Sequence, residues 1–459
     1  MNSIQHIADW NVEARREKNA DFFVPFEMMD RVVDGRRSLV VGRKGTGKTA
    51  LSKYIIHNYN SVTLNFDLEK FNSLMSSGSN IFNGTHEFSR IWKFIILNAA
   101  AEKLYRTCRL DYDTAEKLSN IFDANIKAGA PGRPYVKKMS GGLAIPGVGT
   151  VNGALERDDS NNHPDLKART EWFEDVFKAS KPESKIYIIF DEIDIDFRSM
   201  NIKRELYIDL VISLVNSVLS IADGYLSKFI TPIVFIRDDL LSILGNNKNK
   251  WSDYTYRLSW SQNNIVAMLT KRLKMATRLE GDSFDIQWES VYSGGRIRNG
   301  SGRIVSIEYI QRHTQGRPRD YIAFIREAAR EAVGMNKKTI DLSCIDNALP
   351  HFSDFFLNES NLELEMLFEE YRHIMPVLSK IGKPIFRIEE FESAYQSKAR
   401  TLERAPDWQT ALEALRDYGV VGNLINNVPL FAYQSPTKPT NFTQSLAVHP
   451  GLRKALHIQ

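Results

Sequence analysis

Gly42-Arg43-Lys44-Gly45-Thr46-Gly47-Lys48-Thr49 is the stretch whose reading decides the fold. The residues before it, Ser38-Leu39-Val40-Val41, form a short apolar run that stops at glycine, as a buried parallel strand does. After it, Ala50, Leu51, Tyr54 and Ile55 recur at helical spacing. The run matches the pattern Gly-x4-Gly-Lys-[Ser/Thr] between a strand and a helix, which is the context that pattern needs. Glycines let consecutive backbone N–H groups turn toward phosphates, and the helix N-terminus adds the positive end of its dipole. Lys48 can reach the β- and γ-phosphates, while the Thr49 hydroxyl completes a Mg²⁺ shell. Gly42, Arg43, Lys44, Gly45, Thr46, Gly47, Lys48, Thr49 and Ala50 are therefore expected to bind ATP. The bland alternative is a glycine-rich loop that merely turns a corner.

A second apolar run, Ile186-Tyr187-Ile188-Ile189-Phe190, leads into Asp191-Glu192-Ile193-Asp194. A carboxylate at the end of a buried strand is costly unless it serves a cation. Asp191 is expected to hold Mg²⁺ through water, and Glu192 to orient and deprotonate the attacking water. The alternative is a strand that simply ends in surface acids. A third run, Ile230 to Ile236, ends in Arg237-Asp238-Asp239. A cation at that strand tip can distinguish ATP from ADP and stabilise charge in the transition state. Arg237 is thus a candidate catalytic sensor, or a surface arginine paired with Asp238 or Asp239. In Thr314-Gln315-Gly316-Arg317-Pro318-Arg319-Asp320, Pro318 suits the first turn of the helix carrying Ile322, Ile325, Ala328 and Ala329. Two arginines at a helix start oppose its dipole, a cost that an anion would offset. Arg317 and Arg319 are read either as phosphate-binding lid residues or as partners of Asp320.

Working outward, residues 1–35 predict a polar helix followed by an extended approach, and 36–261 an α/β core. That core includes a second strand at Val62–Phe66, helices over about 86–107, 111–126, 166–180 and 202–226, and a fifth strand within Tyr254–Leu258. Strands alternating with helices imply a parallel sheet covered on both faces. Residues 128–165 hold many glycines and prolines and predict an irregular insertion with a short hairpin near 142–152. Residues 262–350 read as an all-α lid interrupted by a Gly/Arg-rich loop at 294–303. Met139-Ser140-Gly141-Gly142 is similar to part of the ABC transporter signature, but it sits in the Gly/Pro-rich loop rather than opening a helix.

Composition is that of a globular protein able to bury a core: 459 residues, 43% hydrophobic and 25% charged. By length alone about three domains are expected. A net charge of +4 and a pI near 8.7 permit contact with nucleic acid without arguing for it. Cys108 and Cys344 are too few and too far apart for a disulfide framework or a zinc site. The N-terminus carries no signal-peptide pattern, and Leu210 to Ala222, interrupted by Ser213, Asn216, Ser217 and Ser220, reads as too short and polar to span a bilayer. A cytoplasmic protein with no membrane partner is expected.

With these residues in hand, the chain resembles the AAA+-related P-loop ATPases of the Orc/Cdc6 and STAND branch over about residues 25 to 335. The matching pieces are Gly42–Ala50, Ile186–Asp194, the arginine-tipped strand 230–237 and the Gly-Arg-Pro-Arg helix start at 316–319. It is most similar to a poorly characterised bacterial ATPase family sharing the GRKGTGKTAL run, the FIRDD strand end and the RPRD helix. The resemblance implies a three-layer P-loop NTPase core, slow partner- or DNA-regulated ATP hydrolysis, and a homo-oligomer or an effector partner. Members are associated with mobile-element or phage-defence loci, which implies a switch in anti-phage defence. Two features depart from the pattern. The gap from Lys48 to Asp191 is long, so 73–165 is family-specific material, and no single trans-acting arginine stands out among Arg257, Arg272, Arg296, Arg298 and Arg303.

Residues 351–459 read differently again. Leu364, Leu367, Tyr371, Met375 and Leu378 recur at helical spacing over 363–380, and further helices are expected at 387–399 and 407–418. Two short β-like runs then flank Asn426-Asn427 as a hairpin. Three helices and a hairpin resemble a winged helix. Gln409, Thr410, Glu413 and Arg416 would face outward from its third helix, and Lys380, Lys383, Arg387, Lys398, Arg400 and Arg404 are scattered around it. Double-stranded DNA is one partner this arrangement suits; a protein-docking role is the other.

Overall fold

The computed structural model describes residues 2–17, 23–24, 29–65, 85–123, 166–193, 203–244, 247–294, 305–368, 370–399, 404–435 and 440–458. The expected insertion at 128–165, its hairpin, Met139–Gly142, Asp194, Arg296, Arg298, Arg303 and Arg400 lie outside them. The chain divides into two compact units: one comprises Pro25–Gly42 and Lys48–Leu258, the other Met1–Val24, Arg43–Gly47 and Ser259–Gln459.

The first unit is built on a parallel sheet of five strands: β1 (Leu39–Gly42), β2 (Ser61–Asn65), β3 (Ile186–Asp191), β4 (Ile230–Arg237) and β5 (Thr255–Arg257). Their order across the sheet is β2-β3-β4-β1-β5. β1 and β4 are buried throughout, which explains why they read as unbroken apolar runs rather than alternating ones. Side-chain alternation along β3 shows both faces covered. Phe190 meets Trp92 of helix Thr85–Thr107 edge-on at 5.9 Å, whereas Tyr187, on the opposite face, meets Tyr59 just beyond helix Lys48–Asn58 at 5.0 Å. Helix Arg204–Asp223 packs against Thr85–Thr107 and accepts a bond from it: the Trp92 indole N–H reaches the Leu210 carbonyl at 3.2 Å. This helix falls within the expected 202–226 and contains the apolar stretch Leu210–Ala222. Its most apolar 18-residue window has a mean hydropathy of 1.6, long and apolar enough for a span, yet 56% of that window is buried inside the protein, as in a core helix. Two of its serines bond back to the chain, Ser213 to the Leu210 carbonyl and Ser217 to that of Ser213.

The second unit is mainly helical. Helices Gln262–Thr277, Phe284–Glu289, Val305–Arg312, Pro318–Gly334 and Leu342–Leu367 share one core with the N-terminal helix Ser3–Ala8, whose Ile4 and Ile7 are fully buried in it. Asn2 and Gln5 close a capping box on that first helix, which fixes where it starts. Phe324 and Phe352 stack at 4.6 Å between helices Pro318–Gly334 and Leu342–Leu367. Helix Leu342–Leu367 starts at the Asp341 cap and continues through Pro350, where proline would ordinarily end it. Burial of Leu349, Phe352 and Phe356 on both sides of the proline holds the helix together.

Helices Met375–Ile381, Ile388–Ala399 and Trp408–Asp417 follow, with a four-stranded antiparallel sheet of β6 (Ile385–Phe386), β7 (Val421–Ile425), β8 (Val428–Leu430) and β9 (Leu446–Val448) in the order β6-β9-β7-β8. β7 and β8 form the expected hairpin. Asn426 and Asn427 both take left-handed backbone (φ 49° and 62°), which a two-residue turn of this hand requires and asparagine tolerates. The fold class read in the sequence is therefore present: an α/β parallel-sheet core and a C-terminal helical domain.

Candidate functional site

In the first unit, the carboxyl ends of three adjacent strands carry the residues singled out in the sequence. β4 stands between β3 and β1, with Arg237 in register with Gly42 and Phe190 in register with Val234. Lys48 opens its helix and folds its ammonium back onto the Gly42 carbonyl at 2.8 Å. Asp191 closes β3. Its Oδ1 accepts the backbone N–H of Glu192 at 3.0 Å, and its carboxyl also accepts from the Ser52 hydroxyl on the same helix as Lys48. Burial pushes the Asp191 carboxyl above the ordinary aspartate range, with the neighbouring Glu192 charge adding to this. The bonds from Glu192 and Ser52 and the charge of Lys48 act in the opposite direction. Glu192 is exposed and takes left-handed backbone (φ 57°), a conformation that costs energy for a residue with a Cβ and turns the chain sharply after the strand.

Those residues fit a divalent ion accompanied by phosphates. A buried carboxyl kept high by desolvation is stabilised as an anion when a cation sits beside it. Among the described residues no three His, Cys, Asp or Glu side chains converge, so a closed protein cage is not offered there. Mg²⁺ is ordinarily held by one or two protein oxygens, waters and substrate phosphates, a donor set that the Asp191 carboxyl fits.

Arg237 is buried and already engaged. Its Nε donates to Asp239 Oδ1 at 3.0 Å and a second guanidinium nitrogen donates to Oδ2, so the pairing weighed in the sequence is the arrangement found. Asp238 accepts instead from Arg257, one of the candidate trans-acting arginines. Arg272, another, is internal to the second unit: it pairs with Glu17 at 2.5 Å and lies over the Trp10 ring.

The middle of the loop, Arg43 to Gly47, belongs to the second unit and is gripped there from several sides. Gly45 has φ 83°, and its carbonyl accepts the backbone N–H of Arg319 at 3.4 Å. A Cβ at position 45 would lie 2.8 Å from the Arg319 Cβ, so only glycine allows this approach. The Thr46 carbonyl accepts from the Trp260 indole at 2.7 Å, and the Lys44 carbonyl from Arg317 at 3.3 Å. The charged side chains meet two glutamates that the sequence reading passed over. Glu363 binds Arg43 at 2.5 Å and Arg317 at 3.2 Å; Glu359 binds Lys44 at 3.1 Å and Arg319 at 2.7 Å. Arg317 also meets Asp320 at 3.0 Å, as weighed in the sequence, and these carboxylates push its pKa up against the effect of full burial. Arg43 donates further to the Tyr418 carbonyl at 2.8 Å, which Gln315 also reaches at 2.8 Å. That carbonyl lies at the C-terminal end of helix Trp408–Asp417, where the helix dipole favours a cation.

Residues 263–360 match the FunZ-associated C-terminal helical domain. Over 479 aligned residues the chain is 22% identical to the putative transposon gamma-delta 80.3 kDa protein of Escherichia coli (strain K12), covering 94% of this chain and 63% of that protein. Among solved structures it is similar to the Walker-type ATPase PABY2304 of Pyrococcus abyssi, with 11% identity, coverage of 98% and 99% of the two chains, and a TM-score of 0.43. A second likeness is to the Aeropyrum pernix ORC2 protein in ADPNP–ADP complexes, with 13% identity, coverage of 94% and 89%, and a TM-score of 0.38. At these scores the likenesses add no functional argument to the geometry.

Proposed function

We propose that the protein is an ATPase whose loop Gly42–Thr49 takes up ATP with Mg²⁺, and that it works as a nucleotide-controlled switch. The observation that carries this reading is the carboxyl edge of the parallel sheet, where Lys48 bonds the Gly42 carbonyl and faces the charge of a half-buried Asp191. Lys48 would exchange that carbonyl for phosphate oxygens, which are better partners for an ammonium. Thr49 and Asp191 would hold the Mg²⁺, whose charge offsets that of the phosphates. Glu192, exposed at the strand end, is the group to hold and deprotonate the attacking water. Arg237 would first have to loosen from Asp239 to sense the γ-phosphate, so its sensor role requires a rearrangement of the Arg237–Asp239 turn. Arg317 and Arg319 are the lid residues of the same reading. In this scheme hydrolysis to ADP and phosphate is slow and resets a homo-oligomer or a complex with an effector protein. The family resemblance read in the sequence supports placing that switch in bacterial anti-phage defence in the cytoplasm.

Calorimetry with Mg–ATP tests the first step: wild type should bind, and Lys48→Ala should lose at least a hundredfold in affinity. Equal binding by the two would refute the assignment.

A second reading has its own support. Helix Trp408–Asp417 and the β7–β8 hairpin have the makings of a winged helix, and the relative at 22% identity bears a transposon name. On this reading the C-terminal segment grips double-stranded DNA under ATP control, as an initiator or transposition helper would. Duplex binding that weakens steeply with salt would support it. No retardation with ATP at low salt would exclude it.

A further inference from the structure

The Leu342–Leu367 helix carries Phe352, Phe356, Glu359 and Glu363 at helical spacing along one buried stripe. Two of the four are carboxylates, exposed by only 9% and 1%, and buried carboxylates are costly unless paired. Each is paired twice, and each pair consists of one residue of the phosphate loop and one residue of the Arg317-Pro318-Arg319 turn. Glu359 joins Lys44 to Arg319, and Glu363 joins Arg43 to Arg317. Burial alone would raise the Glu359 carboxyl, yet Arg319 and Lys44 together bring it below the ordinary glutamate value. The guanidinium–carboxylate contacts are those a phosphate would make, because carboxylate and phosphate offer the same fork of acceptors to arginine.

We infer that Glu359 and Glu363 are positioning residues that occupy the loop's cations in place of phosphate, so that nucleotide binding must displace them. The inference rests on the nucleotide reading above and deepens it. Arg319 and Lys44 exchange Glu359 for phosphate oxygens. The carboxylate so released lies in a buried stripe, and its helix turn loosens to let it reach water. Arg43 ties the same event to the Tyr418 carbonyl at the end of helix Trp408–Asp417, since its guanidinium bonds both Glu363 and that carbonyl. Occupancy of the loop is thereby reported to the C-terminal helices through a charge exchange within one unit of the protein.

The test uses the full chain. Mg–ATP is titrated into wild type, Glu359→Gln and Lys48→Ala, and hydrogen exchange of wild type is followed with and without saturating Mg–ATP. Glu359→Gln keeps the side-chain shape but removes one of the two anions the nucleotide must displace, so it should bind about tenfold tighter than wild type. Amides of 355–367 and 413–420 should exchange at least threefold faster in wild type when nucleotide is added, and this change should be absent in Lys48→Ala. Unchanged or weaker binding by Glu359→Gln, or unchanged or slower exchange in 355–367, overturns the inference. If Glu359→Gln does not fold, the exchange of wild type decides alone. If wild type binds no Mg–ATP, the nucleotide reading itself fails, and the charge exchange fails with it.

Discussion

Replacing Asp320 by asparagine tests the packing of Arg317 directly. Asp320 is fully buried, meets Arg317 Nε with both oxygens at 3.2 and 3.0 Å, and accepts the Gln315 backbone N–H at 3.0 Å. Asparagine preserves the shape and one acceptor, so the loss is mainly that of the charge opposite a buried guanidinium. Removing one partner of a buried pair costs about 3–5 kcal/mol. Arg317 keeps Glu363 at 3.2 Å and the Lys44 carbonyl at 3.3 Å, which places the expected cost at the lower end, about 3 kcal/mol. In a domain of this size each kcal/mol lowers Tm by about 2–4 °C, so Asp320→Asn should melt about 6–12 °C below wild type. Differential scanning calorimetry measures this, and a double cycle with Arg317→Met isolates the pair. The double variant should be less destabilised than the sum of the singles, with a coupling of about 1–3 kcal/mol. A Tm shift below about 2 °C, or strict additivity, would show that Arg317 is not held by Asp320 and that the buried ion network has been misread.

Further outcomes follow from the same geometry. Glu192→Gln should retain nucleotide and lose turnover on the order of 10²-fold or more, read by single-turnover phosphate release; normal turnover would move the base elsewhere. Asp341→Ala removes the oxygen that accepts the Cys344 backbone N–H at 3.0 Å at the start of helix Leu342–Leu367 and should cost about 1 kcal/mol in denaturant unfolding. Burial holds His449 well below 6.5, with the charges of Arg317 and Arg453 acting in the same direction, and His313 is also lowered. The unfolded chain therefore takes up protons that the folded unit refuses. Stability is fully present above 6.5 and should fall as pH drops below it, with His449→Gln flattening the slope.

Most of the sheet was legible because its strands are short apolar runs that end in residues of another kind: Gly42, Asp191 and Arg237. What the runs do not encode is their order. Nothing in Ile230–Arg237 announces that it inserts between β3 and β1, because order is decided by helix packing on both faces. The Arg237 alternatives stayed open for a similar reason. Whether Arg237 meets Asp238 or Asp239 depends on where the strand gives way to a helix, and here the extended Arg237 (ψ 146°) is the cap of helix Asp238–Ile243. Glu359 and Glu363 were missed because Asn-Glu-Ser-Asn-Leu-Glu-Leu-Glu reads as a solvated acidic helix. The available signal was their phase, continuing the stripe of Phe352 and Phe356. The N-terminal helix gave no hint of its partner, since six residues with two isoleucines can pack on either unit. Helix Arg204–Asp223 was legible as the helix expected over about 202–226; what the sequence does not show is that Ser213 and Ser217, which look like interruptions of its apolar stretch, bond to carbonyls of their own helix.

The place of β4 also sets a width. Neighbouring strands lie about 4.8 Å apart, so one intervening strand keeps the ends of β3 and β1 about 9.6 Å from each other. The sheet thus behaves as a caliper whose opening is fixed by backbone hydrogen bonds rather than by side chains. A one-residue slip of β4 would leave the opening unchanged yet exchange Arg237 for Ile236 or Asp238 at its mouth, turning a cation into a hydrocarbon or an anion. Mutations that loosen β4, even at its buried far end near Ile230, should therefore disturb charge at the sheet edge before they disturb its dimensions.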